Sequence, residues 1–368
     1  MNKALENLLS CGMEADFFIV GQGLAGSLLA FELLKRNKTV LVFDDPQQLK
    51  ASEVAAGIIN PVVFRRMTKS WLVDDAFPVM EDTYWRLEKL LNQQFYFPAP
   101  MVRILSEDAI LLWKSAAIAN QLHTYLVPQP LLDSPVKGCD KTFTFGLINK
   151  SGRLDIQKFI HLFKEFLNHQ NLLVAETFDF KKINFETNNI RYDNLIAQKV
   201  VFCEGPAVSA NPFFENLRFK HSKGEILDLE IQEFYSDKII NDEVFVMPMG
   251  QNRYKVGATY SWDTLNWEPT SNAQEELQSK LHRITTSPYR IIAQKAGIRP
   301  TMHDRKPVLG LLPDRPQVGI LNGLGSKGVL WAPYLARQLA DLLTNKSDFI
   351  HPEVNISRYY KQKHGKNK

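Results

Sequence analysis

Ala15-Asp-Phe-Phe-Ile-Val-Gly-Gln-Gly-Leu-Ala-Gly26 decides how this 368-residue chain is read. Ala15 to Val20 is almost wholly apolar, the pattern of a short strand covered on both faces. Gly21-x-Gly23-x-x-Gly26 follows at once, and Ser27 to Lys35 continues with helical apolar spacing. Thr39 to Phe43 then gives a second strand, ending in Asp44-Asp45. The glycines have separate tasks: Gly21 permits the tight turn, Gly23 lets backbone approach a pyrophosphate, and Gly26 lets helix and strand pack closely. An acid at the end of the second strand accepts hydrogen bonds from ribose hydroxyls; Asp44 stands there, with Asp45 as the fallback. Strand, loop, helix, strand and acid arrive in order, so Gly21, Gly23, Leu24, Ala25, Gly26, Asp44 and Asp45 read as a dinucleotide site. The plainer alternative is a tight strand–helix turn in an ordinary α/β fold. The pattern alone does not separate NAD from FAD.

A second glycine loop, Gly323-Leu-Gly-Ser-Lys-Gly-Val329, opens directly into the apolar helical run Leu330 to Leu339. Such a junction crowds backbone N–H groups at one point and adds the positive end of a helix dipole, which together cradle an anion. Taken alone, it reads equally as a glycine turn before an amphipathic helix with Lys327 solvated.

Composition sets the frame. The length accommodates two domains, and 45% hydrophobic with 23% charged residues is ordinary for a globular protein. A formal charge of +4, from 44 basic and 40 acidic side chains, is too balanced to argue for nucleic acid by itself. Much of that excess lies in the tail 361–368. Cys11, Cys139 and Cys203 lack pairing or metal-ligand spacing, so no metal site is expected and a reducing, cytoplasmic setting is. Leu8-Leu-Ser-Cys11 is rejected as an export signal because the segment before it is short and holds Glu6. The apolar run from Phe17 to Leu34 is broken by Gln22, Glu32 and glycines, which argues against a membrane span.

Further segments resemble, in order, the D-amino-acid-oxidase-like (DAO) superfamily of FAD oxidoreductases. Ser52-Glu-Val-Ala-Ala-Gly-Ile-Ile-Asn-Pro61 is similar to its segment beside the flavin ring, and Ser151-Gly-Arg-Leu-Asp155 to a turn before a helix. Val200-Val-Phe-Cys-Glu-Gly-Pro206 resembles the strand and turn returning to the dinucleotide. Lys223 to Leu227 and Lys255 to Thr259 resemble substrate-domain strands, and Ala296-Gly-Ile-Arg-Pro-Thr301 the substrate-carboxylate segment. The resemblance implies FAD as cofactor and an α/β (α+β overall) fold: a Rossmann-like FAD-binding domain with a discontinuous, mostly antiparallel substrate domain. The FAD-binding domain is expected at 1–69, 150–207 and 290–345, the substrate domain at 70–149 and 208–289, and a tail at 346–368. Asp75 to Leu91 and Ala273 to Thr286 read as helices.

The same resemblance implies that Ser52, Ala55, Ala56 and Gly57 lie against the flavin, with Phe180, Glu204, Gly205 and Gly297 elsewhere along the cofactor. Gly323, Gly325, Ser326, Lys327, Gly328 and Val329 are expected at the flavin's pyrimidine edge, where their donors and the Lys327 charge stabilise the reduced ring. This resolves the need for two anion cradles, one for each electron-rich end of a long cofactor. Arg299 is expected to clamp a substrate carboxylate, because its planar fork matches two oxygens; the alternative pairs it with Asp304. The superfamily's substrate-binding tyrosine position holds Phe245, with Tyr260 as a candidate replacement. Arg65, Arg66, Lys69 and Trp71 read as a basic-aromatic patch, solvated or guarding an entrance.

These residues imply oxidation of the C–N bond of a carboxylate-bearing amine of the glycine, sarcosine or D-amino-acid class, with a small amine or amino acid as the partner molecule. Gly325-Ser-Lys-Gly-Val and Ala332-Pro-Tyr-Leu-Ala336 are also similar to the FAD half of the bifunctional bacterial protein that matures 5-methylaminomethyl-2-thiouridine, so a tRNA wobble base is the alternative substrate. A non-catalytic electron-transfer flavoprotein is the third reading, for which Phe245 leaves room.

Overall fold

The computed structural model describes residues 14–119, 121–139 and 143–360. Cys11 with its preceding residues, and the basic tail 361–368, lie outside them. Strand Glu14–Val20 runs parallel between Val40–Phe43 and Leu195–Phe202. Its side chains alternate between two cores: Phe17 and Ile19 enter one, Phe18 and Val20 the other. Helices cover one face of the sheet and Phe178, Phe214 and Leu217 pack on the other, which explains why so short a segment is apolar almost throughout. Leu195–Phe202 divides its outer edge, pairing antiparallel with Ile190–Tyr192 and then parallel with Val318–Asn322.

That division places the site. Val20, Phe202 and Asn322 end three adjacent parallel strands on one side of the sheet. The first glycine loop, the Cys203–Gly205 turn and the second glycine loop therefore converge at the carboxyl ends, where open α/β sheets bind ligands. Helix Leu24–Leu34 begins within the first loop, earlier than its apolar spacing suggests, and Gly328–Leu343 begins within the second. Pro333 sits inside that second helix and has no N–H for the carbonyl of Val329. The buried Tyr84 hydroxyl donates to that carbonyl instead, at 2.7 Å, from helix Val73–Leu91.

A seven-stranded sheet faces the convergence. Its order is Tyr289–Arg299, Ser222–Ile231, Arg253–Gly257, Phe245–Gly250, Ile239–Asn241, Met101–Leu105 and Thr144–Ile148. Only Ile239–Asn241 with Met101–Leu105 is parallel. Leu227, Leu229 and Ile231 pack with Leu277 and Leu281 of helix Ser271–Leu281, so Ile226 and its neighbours on the other face look toward the cleft. Tyr289–Arg299 pairs along its length with Ser222–Ile231. The residues 290–299, grouped by sequence with the cofactor portion, are thus hydrogen-bonded into the facing sheet. Among the described residues, no helix is long and apolar enough to cross a membrane.

Candidate cofactor cleft and active site

One cleft of about 390 Å3 runs between the two sheets, from Gly21–Ala25 and Asp44 to Tyr260, Arg299 and Leu324–Val329. Both glycine loops therefore open onto the same space. A second cavity of about 330 Å3 adjoins it, sharing Gly21, Gln48 and Glu204 and reaching Asp45 and Phe180.

The two helices that start at the cleft differ from their neighbours. Asp155 caps helix Ile156–His169 and Thr270 caps Ser271–Leu281, while Asp74 and Asp75 occupy the first turn of Val73–Leu91. Neither Leu24–Leu34 nor Gly328–Leu343 has a side-chain cap from its own preceding residue, or an acid in its first turn. Their positive ends are left for an anion. In the first, Ser52 Oγ accepts from the Leu24 amide at 3.1 Å, tying the 51–57 segment to the loop. In the second, the Gly325 amide donates to the Pro300 carbonyl at 2.8 Å. Gly325 thus shapes the loop rather than donating into the cleft, which corrects one expected donor.

The backbone has the form of a cradle. A Cβ at Gly205 would meet nothing within 4 Å, and one at Gly325 only Thr301, at 3.6 Å, because both border open space. Gly57 packs on the Leu154 carbonyl, and Gly297 packs on Val54, which draws the 51–57 segment against the facing sheet. Asn322, buried and not anticipated from sequence, holds the turns together: its amide donates to the Gly205 carbonyl at 2.9 Å and its Oδ1 accepts from the Gly323 amide at 2.7 Å. Its only sequence signal was its place immediately before Gly323.

Asp44 stands at the loop as expected. Oδ1 accepts from the Gln22 amide at 3.2 Å, and Oδ2 receives both Lys50 and Lys164, each at 2.8 Å. The two lysines were not anticipated. Asp45 instead accepts from Thr177 Oγ1 at 2.7 Å, a contact that holds its carboxyl below the ordinary range. Glu204 borders both cavities, and among the described residues its carboxylate accepts a hydrogen bond only from the Asn211 side-chain amide, at 2.7 Å. Burial raises its carboxyl to about 7.

At the other end, Arg299 has no acidic partner among the described residues. Its guanidinium donates to the carbonyls of Lys223 at 3.2 Å and Thr259 at 3.3 Å and lies 4.1 Å from the Tyr260 ring centroid. Asp304, the alternative partner, pairs instead with Arg358. Gly224 makes room for Arg299, since a Cβ there would fall 1.9 Å from its Nη2. Tyr260 is exposed and stacks on Trp262. Phe245 lines the cleft beside Gly257.

Lys327 is placed differently from the expectation. Its ammonium donates to the carbonyls of Asn60 and Val62, both at 3.1 Å, and to Ser70 Oγ. These neutral partners occupy the ammonium without neutralising it, so its charge reaches the cleft as a field. Burial lowers it to about 8. The Arg65–Trp71 patch is also divided: Lys69 pairs with Asp74 and Trp71 donates to Glu353, leaving Arg65 and Arg66 exposed.

Bare helix starts, glycine-lined backbone and a long two-chambered cleft fit FAD. Comparison with known proteins agrees. The family described as DAO, FAD dependent oxidoreductase, matches residues 16–342. Glycine oxidase of Bacillus subtilis is 22% identical over 361 residues, covering 90% of this chain and 95% of that protein. The iminodiacetate oxidase of Chelativorans sp. BNC1 shares the fold with a TM-score of 0.77 at 17% identity, over 93% of this chain and 98% of that one. The tRNA 5-methylaminomethyl-2-thiouridine biosynthesis bifunctional protein of Marinobacter nauticus is 30% identical over 164 residues, which are 40% of this chain and only 26% of that protein. The chain belongs to the DAO family of FAD dependent oxidoreductases.

Proposed function

We propose that the protein oxidises the C–N bond of a carboxylate-bearing amine, with the carboxylate held by Arg299. The observation that carries this is a guanidinium at the cleft with no counter-ion among the described residues, aimed by two carbonyls and an aromatic face. A buried cation without an acid is costly unless a ligand completes it, and the fork shape selects a carboxylate. FAD, when bound, supplies the sink for the hydride leaving the substrate's Cα. The chain's own part is positioning and field. Arg299 fixes one end of the amine, Phe245 keeps the adjoining surface apolar, and the bare start of Gly328–Leu343 with Lys327 holds positive potential at the opposite wall. We also infer that the sheet containing Glu14–Val20 serves the cofactor and the seven-stranded sheet serves the substrate. Replacing Arg299 with Met tests the reading: the substrate KM should rise steeply while FAD stays bound, and unchanged kinetics would refute it.

A second reading, a modified wobble base in tRNA, is favoured by Tyr260 and Trp262. These exposed rings stack with centroids 6.3 Å apart next to Arg299, the form of a base-stacking platform. It predicts salt-sensitive retention of tRNA. Absence of retention at low salt would remove it.

A further inference from the structure

The cleft face of the seven-stranded sheet has polar groups at two separated points and an apolar surface between them. Asn241, Phe245, Gly257 and Ile226 are register partners across adjacent strands. A Cβ on Gly257 would strike both Ile226 and Phe245, so these side chains close over the glycine and form the apolar middle. The Arg299 guanidinium lies over Gly224, two residues from Ile226. Strand spacing and rise place it roughly 15 Å from Asn241.

Asn241 lines the cleft, and its orientation is fixed. Arg103 Nη1 donates to Asn241 Oδ1 and, at 3.3 Å, to the Asp242 carbonyl. A guanidinium can only donate, so the contact settles which way the amide points: Oδ1 toward Arg103 and Nδ2 away from it. Nδ2 has no partner among the described residues. Arg103 is itself steadied by the Phe64 ring, 4.7 Å from its guanidinium carbon. The arrangement is a neutral donor, held in one orientation, at the end of the cleft remote from the carboxylate clamp.

We infer that Asn241 is a specificity residue that donates through Nδ2 to an acceptor on the far end of the substrate, with Arg103 as its positioning residue. The substrate class is then an elongated amine: a carboxylate at one end, an apolar body over Phe245, and a carbonyl or similar acceptor at the other. Free glycine is too short to reach both points. The inference rests on the proposed role of Arg299.

The test uses the FAD-loaded protein and reads Kd from perturbation of the flavin's visible spectrum. The probes are ω-(4-acetylphenyl)alkanoates and ω-(4-isopropylphenyl)alkanoates of increasing chain length, which match in shape and differ in the acceptor. At one chain length the acetyl probe should bind about fivefold more tightly, the effect of one neutral hydrogen bond. N241A and the isosteric N241D should each abolish that preference while leaving FAD bound. R103M should reduce it and R103K, which still donates to Oδ1, should restore it; a merely structural role for Arg103 predicts no such split between the probes. R299M should weaken both probes together. If R299M leaves both unchanged, the carboxylate clamp itself is wrong. If R299M weakens both but the wild type shows no acetyl preference at any length, or N241D retains it, the assignment of Asn241 is overturned. Loss of FAD in both Asn241 variants would instead make Asn241 a cofactor contact and overturn the inference.

Discussion

The two glycine loops have similar composition and different physics. In the first, glycine is required by packing: a Cβ on Gly26 would lie 1.9 Å from the Gly21 carbonyl oxygen, and one on Gly21 2.6 Å from that of Cys203. Both obstacles are backbone and cannot swing aside. In the second, Gly325 is required by conformation, with φ at +57° and its nearest obstacle a Thr301 side chain at 3.6 Å. One loop is locked into the sheet, and the other is a bend that presents a helix start. The end of the cleft that we assign to the cofactor's pyrophosphate is therefore built by close packing, and the end we assign to chemistry by field and by unpaired charge.

Substitutions at each end test whether the contrast holds. The largest effect is expected from R299M, which removes two charge-assisted hydrogen bonds to a carboxylate, about 3–6 kcal/mol in kcat/KM. FAD content, measured by absorbance ratio, should not change. Loss of FAD would mean the two ends are not separable. Next is E204Q in the FAD-free protein. Glu204 is raised from 4.5 to about 7, so the folded state keeps a proton that the unfolded chain releases. Stability is full below the unfolded value and lost as pH rises through the folded one, by about 3 kcal/mol. Thermal melts should show E204Q more stable than wild type above pH 7 and similar below pH 4.5. Equal pH profiles would contradict this.

G26A and G325A test the loops directly. G26A should cost about 1–3 kcal/mol by overpacking and deplete bound FAD. G325A should cost about 1 kcal/mol of backbone strain with FAD retained. Equal losses in denaturant melts and FAD content would erase the distinction. The smallest shift is expected from K327M, which should lower the potential of the bound flavin by ~15 mV, equivalent to ~0.7 kcal/mol. An unchanged potential would show that Lys327 acts only as a tether for Asn60, Val62 and Ser70, and a higher one would contradict the sign of the field.

The fold was legible where one local pattern specifies one local structure. The glycine spacing located the first strand and helix, and the second loop marked a helix start, because both depend on neighbours a few residues away. The acid at Asp44 was legible for the same reason. Lys164 was not, since its contact with Asp44 requires the helix Ile156–His169 to lie across the strand end; Lys50 is only six residues from Asp44, but no motif marks its side chain as turned back onto that acid. Asn241 and Gly224 were invisible as site residues for a related reason: their meaning comes from sheet register and from Arg103 and Arg299, which no short motif encodes. Lys327 shows the converse. Its place in the loop was readable, but the direction of its side chain was set by Ser70 and two carbonyls on another segment.

Amine oxidation at Arg299 is best tested by the visible absorbance of the purified protein, followed anaerobically as glycine, sarcosine, D-alanine, D-proline and N-benzylglycine are added in turn. The wild type should carry a bound flavin that one or more of these amines bleaches, and R299M should carry the same flavin, unbleached at the same concentration. A protein that cannot be loaded with FAD, or a flavin bleached equally well in R299M, would contradict it.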